Sequence, residues 1–244
     1  MSMMRSGNPV LGEDVFSPTT NFSDTETMTI QGTVNKTLFL LALVVLGAAL
    51  AWNNPAAWAP YIVFFALGGF VVALVTIFKQ QWAPVTSPLY AVLEGLFLGA
   101  VSISFERHYP GIVMQAVGLT FGTLFCLLMA YKSRLIAVTE NFKLGVVAAT
   151  GAVALVYVVD IVLSIWGKSI PMIHQSGTFG ILFSLAVVTI AALNLVMDFD
   201  FIERGAQQSA PKYMEWYGAF GLLVTLIWLY LEMLRLLSKL RSRS

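Results

Sequence analysis

The sequence predicts an all-α integral membrane protein with seven transmembrane helices, and three observations carry that reading. Hydrophobic residues make up 58% of the 244 residues and charged ones only 11%, against roughly 25% charged in ordinary soluble domains. Seven apolar runs each approach the roughly 20 residues that a helix needs to cross a bilayer core of about 30 Å. The alternating ten-residue strands of an outer-membrane barrel are absent from the sequence.

The first thirty-odd residues are polar, rich in Ser and Thr, and carry Glu13, Asp14, Asp24 and Glu26 ahead of any hydrophobic run. A cleavable signal peptide would open with basic residues and pass at once into a short apolar stretch. Residues 1–33 therefore read as a polar, disordered or surface-lying arm, and residues 34–244 as one transmembrane domain whose first span is an uncleaved anchor. The spans fall at about 34–52, 60–78, 87–105, 112–131, 143–166, 178–200 and 214–237, separated by connections such as "NNPAAWAP", "KQQWAPVTSP" and "WGKSIPMIHQSG". Trp52, Trp58, Trp82, Trp166 and Trp216 fall at span ends, where an amphipathic ring prefers the interface, while Trp228 lies deep in the last span.

Basic residues set the expected orientation. Arg5, Lys36, Lys79, Lys132, Arg134, Lys143, Arg204 and Lys212 gather on the side of the arm and the even-numbered loops, against Arg107 and Lys168 opposite. That predicts a cytoplasmic N-terminus. Lys239, Arg241 and Arg243 argue against it, since seven spans would leave them outside. A net charge of +1 provides no field to attract nucleic acid, and the single cysteine, Cys126, cannot form an intramolecular disulfide.

Five acids lie inside or at the inner ends of spans: Glu94, Asp160, Asp198, Asp200 and Glu232, with Arg235 one turn beyond the last. A charged side chain at the bilayer centre costs about 2.5–3.5 kcal/mol on insertion scales, so such groups pair, take a proton, face water or snorkel to the surface. In the last span Gly218, Gly221, Thr225, Trp228, Glu232 and Arg235 recur at intervals of three and four and share one face. Gly180, Ser184, Val187, Ala191, Asn194 and Asp198 do the same in the sixth. Small and hydroxyl side chains alone would serve helix packing. The acids in line with them turn these faces into a candidate site.

Low dielectric penalises a charged carboxyl, and a second carboxyl nearby makes joint ionisation harder, so two such acids could share a proton. Calcium takes six to eight oxygens, so two or three carboxylates plus water suit transient coordination rather than storage. No Gly-x-Gly-Asp, zinc-protease or Gly-x-Ser-x-Gly signature is present, and His108 and His174 lie in loops. No catalytic residue is expected, and the chain does not read as an enzyme.

The segment "LNLVMDFDFIERG", followed by a last span ending "LYLEMLRLLSKL", resembles the Bax inhibitor family, the transmembrane Bax inhibitor motif proteins. The resemblance covers about residues 34–240. It implies six helices packed around a central C-terminal helix, and a pH-sensitive calcium leak channel or exchanger gated by an acid pair on the last two spans. Asp198 matches the sixth-span acid of the family. Aligning "LYLE" makes Glu232 its partner; aligning "LRLL" puts Thr225 at the partner position and makes Arg235 the family's arginine.

The resemblance thus assigns Asp198 and Glu232 to gating, pH sensing and a weak calcium site. Arg235 as counter-ion, with Glu94, Asp200 and Asp160 from their places within the spans, is expected in ion pairing or the pore. The resemblance implies no resident cofactor, with calcium as the transported ion. The expected partners are the lipid bilayer, calcium ions and protons, with no nucleic acid. The longer sixth loop points to a divergent bacterial branch in the plasma (inner) membrane. The alternative is an interaction protein that regulates a membrane protease or a stress or cell-death pathway without transporting ions.

Overall fold

A computed structural model describes residues 27–168, 170, 173 and 175–243. Most of the predicted arm, residues 1–26, and His174 lie outside the described residues. The long helices are α1 (Ile30–Asn53), α2 (Ile62–Phe78), α3 (Ala83–His108), α4 (Ile112–Lys132), α5 (Glu140–Ile165), α6 (Thr178–Gln207) and α7 (Met214–Arg241). A short turn, Pro55–Trp58, leads through a 3-10 segment into α2. Among the described residues, seven helices, counting that lead-in with α2, are long and apolar enough to cross a membrane.

Local chemistry moves several ends away from the hydropathy boundaries. α1 begins at Ile30 because Thr29 caps it, its hydroxyl accepting from the Gly32 N–H at 2.9 Å. Thr139 caps α5 in the same way through the Phe142 N–H. Between α3 and α4 the chain reverses at Gly111, whose φ of +82° glycine adopts without strain. Glu106 fixes that reversal by accepting from the Gly111 and Val113 N–H groups at 2.6 and 3.2 Å. α6 and α7 outlast their apolar runs, ending at Gln207 and Arg241.

The centre of the bundle is α7. Half of its 28 residues are buried, against three of 26 in α5. It packs on α6, α1, α4 and α3, while α5 reaches it through Tyr157 and α2 packs outside on α3. The outward faces of α2 and α5, with Phe64, Phe70, Leu155 and Ile161 exposed, suit acyl chains rather than water.

Two devices fix the bundle. The first is the seam between α1 and α3, where a Cβ at Gly95 would stand 2.6 Å from the Val44 carbonyl oxygen and one at Gly99 2.6 Å from that of Ala48. Gly95 and Gly99 are four residues apart and let the two backbones touch. The second holds the start of α7. Glu215, fully buried, accepts from the Thr29 N–H at 2.9 Å and hydroxyl at 2.8 Å, and pairs with Lys212 at 2.8 Å and with Lys36. Beside it Met28 donates its N–H to the Ala210 carbonyl at 2.7 Å, and its side chain fills space left by Gly205 and Gly218.

Gly99→Ala is expected to lower the melting temperature in detergent micelles by overpacking worth about 1–3 kcal/mol. Gly118→Ala on α4, where an added Cβ meets nothing within 4 Å, is expected to be neutral or stabilising by up to about 1 kcal/mol. Equal melting temperatures for the two variants would contradict a tight α1–α3 seam.

Candidate functional site

Asp198 projects from α6 toward α7, opposite Gly221 and Thr225. A Cβ at Gly221 would lie 3.9 Å from its Oδ1, and the Thr225 hydroxyl is the polar group of α7 beside it. That hydroxyl also reaches the Gly221 carbonyl at 3.3 Å. Asp198 Oδ2 is buried and has no hydrogen-bond partner among the described residues. A buried carboxylate oxygen in that position must take a proton, attract a cation or admit water to offset its lost hydration.

Glu232 sits seven residues beyond Thr225 on the same helix, about 10 Å along the axis. It is 2% exposed. Its Oε1 accepts from the Tyr157 hydroxyl at 2.9 Å and from Arg235 Nη1 at 2.7 Å, and Arg235 also bonds Tyr157 and lies 5.0 Å from the centre of its ring. Glu232 Oε2, like Asp198 Oδ2, is buried without a partner among the described residues. The expected Asp198–Glu232 pair is therefore not assembled. Glu232 stands two turns too far along α7, and its Oε1 is held by Arg235. Of the two alignments open in the sequence, the geometry puts Thr225 opposite Asp198.

The other expected acids make their contacts elsewhere. Asp200 pairs with Arg204 at 2.9 Å and Lys143 at 3.5 Å, part of a network with Glu140 at the bundle's edge. Asp160 accepts from the Ile170 N–H at 2.8 Å and staples the connection after α5. Glu94 lies on the α2–α3 seam, in space that Gly69 leaves open. Among the described residues no group of three or more His, Cys, Asp and Glu side chains could hold a metal ion.

Sequence reasoning missed Tyr157 and Lys239. A tyrosine on an apolar helix carries no periodic signal of its own. Lys239 did carry one, since it stands four residues after Arg235 and continues the Trp228–Glu232–Arg235 line. It is buried, donating to the Gly180 carbonyl at 3.0 Å and to Ser184 Oγ at 2.8 Å. It belongs to the bundle rather than to a charged tail. Asn194, expected on the Asp198 face, instead ties α6 to α5 through Thr150 at 2.8 Å.

A family model described as Bax inhibitor 1 like matches residues 8–242. No curated protein matches the chain.

The Glu232–Arg235 contact generates a stability prediction. Arg235→Met strands a buried carboxylate and is expected to cost about 3 kcal/mol, the low end for a broken buried pair, because Arg235 keeps 35% side-chain exposure. Adding Glu232→Gln to that variant is expected to recover much of the loss in thermal melts. Strictly additive losses would show that the two side chains are not coupled.

Proposed function

The chain belongs to the Bax inhibitor 1 like family, and from that premise we propose that it is a pH-sensitive cation leak, calcium foremost, running along the α6–α7 seam. Asp198 is the group whose proton decides passage. The observation that carries the reading is its buried, unpartnered Oδ2 beside the open face of Gly221.

Asp198 and Glu232 offer a cation two stopping points about 10 Å apart along α7. Each presents one free carboxylate oxygen. Neither resembles a calcium cage, which needs six to eight oxygens, so water has to complete the shell and an ion is passed on rather than stored. With Asp198 protonated, the first stop loses its charge, and the buried apolar cluster that α6 and α7 share, Leu195, Phe199, Leu222 and Leu226 among it, offers an ion nothing in its place. With Asp198 ionised, the Thr225 hydroxyl alone does not compensate its charge, and a hydrated cation does. Arg235 and Tyr157 keep Glu232 in place and limit its charge. Gating is thus assigned to Asp198 with Thr225, and Glu232 serves as a second, permanently counterbalanced stop.

The reading sets the protein in a bacterial plasma membrane with a cytoplasmic N-terminus. The burial of Lys239 supports that orientation, because it removes one basic residue from the opposing side.

The test is calcium flux into liposomes containing the purified protein, scanned from about pH 6 to 8, a window bracketing neutral pH. Asparagine mimics a neutral carboxyl, so Asp198→Asn is expected to hold flux at the wild-type acid-limb level across the range. Thr225→Asp, which builds the second acid opposite Asp198, is expected to shift the profile by creating a coupled pair. Glu232→Gln is expected to change the amount of flux but not the pH at which it turns. Absence of protein-dependent flux at every pH, with helicity confirmed by circular dichroism, would overturn the reading and leave a protein-binding role.

A further inference from the structure

We infer that the cleft between α1 and α4 is a binding site for one anionic glycerophospholipid, with its phosphate at Lys132 and Arg134 and an acyl chain lying along α1. The two helices pack on the same side of α7 in opposite directions, so that the start of α1 stands level with the end of α4. Between them is a cavity of about 690 Å³, within the range of about 300–1,000 Å³ typical of ligand pockets. Val34 and Leu38 form one wall, Leu124 and Leu128 the other, and Leu222 of α7 the floor.

Its depth matches one leaflet. The α1 lining runs from Ile30 to Leu41, about 16 Å at 1.5 Å per residue, and half of the hydrocarbon core is about 15 Å. Lipid tails are as apolar as leucine, so no hydrophobic force closes such a cleft in a bilayer. An acyl chain fills its apolar length, along which the Thr33 and Thr37 hydroxyls are already bonded to the backbone of α1.

The polar end selects the headgroup. Lys132 ends α4, is exposed and makes no ion pair among the described residues. Arg134 stands just beyond it with a positive φ of 58° and a side chain 87% exposed. The carboxylate facing them, Glu203, is already engaged. It accepts from the Tyr131 hydroxyl and from Gln207 at 3.3 Å, and stands 3.9 Å from Arg134. Two cations against one hydrogen-bonded carboxylate leave a positive mouth where the phosphate of an inserted lipid lies. A second cavity of about 380 Å³ continues the cleft past Leu41 and Phe121 toward Trp52. No charged residue lines it, so the seam holds one headgroup site, on the leaflet at the N-terminal end of α1.

The experiment is native mass spectrometry of the full chain released from micelles, titrated with phosphatidylglycerol or phosphatidylcholine of identical chains. Phosphatidylglycerol is expected to bind about thirtyfold tighter, the scale set by two interfacial basic side chains. Lys132→Gln with Arg134→Gln is expected to abolish the preference at an unchanged melting temperature, because both side chains are exposed. Lys132→Arg with Arg134→Lys is expected to retain it. Leu38→Trp narrows the cleft and is expected to weaken both lipids. The proposal is overturned by equal binding of the two lipids, by a preference that survives charge removal, by Leu38→Trp leaving both affinities unaltered, or by inorganic phosphate displacing the lipid.

Discussion

A helix that carries an acid, an arginine and a lysine cannot face hydrocarbon, and the structure depends on that constraint. Glu232, Arg235 and Lys239 lie on one line of α7, with Thr225 two turns earlier. Each needs a partner that the bilayer does not provide. α7 therefore sits in the middle, with α6, α1, α4 and α3 against it. The neighbours are shaped by the same need. Tyr157 reaches in from the otherwise lipid-facing α5, and Ser184 and the Gly180 carbonyl receive Lys239. The glycine seam between α1 and α3 lets two helices of the surrounding wall share a narrow arc.

Comparing the buried acids separates two kinds. Glu215 is fully buried but has two bonds from Thr29 and ion pairs with two lysines, a complete set that makes it a structural lock. Asp198 and Glu232 each retain an oxygen that nothing in the described protein satisfies. Buried polar groups are normally paired, and exceptions ask for a reason. The difference in satisfaction, more than burial, sets the two acids of α6 and α7 apart from Glu215.

Much of the fold was legible in the sequence because bilayer thickness and hydropathy fix span number and approximate position. Helix ends were less so: Thr29 moves α1 to Ile30 through a single hydroxyl, which an average over twenty residues does not register. In the site, Asp198 could be read from its line with Ser184 and Asn194, although Asn194 turns away to Thr150. Its opposite number could not. Which α7 residue faces Asp198 depends on the register of two antiparallel helices, and that is set by the docking of Glu215 and Met28 at the start of α7. A slip of two turns exchanges Thr225 for Glu232, and periodicity is unchanged by such a slip. For Asp160 and Glu94 the sequence shows an acid in an apolar run but not the Ile170 N–H or the gap at Gly69 beside it.

The central position of α7 has a consequence for how the protein is made. Of the seven helices it is the last to leave the ribosome, yet it is the most enclosed. Until it arrives, α6 holds Asp198 and Ser184 in the membrane without their α7 partners, and α1 holds Lys36 without Glu215. The six earlier helices are an unfinished wall, exposing polar groups to lipid or to one another during synthesis. Insertion of α7 after the other six is thus the step that satisfies the interior. A chain stalled before it would carry the very groups by which a membrane quality-control system could recognise an incomplete bundle.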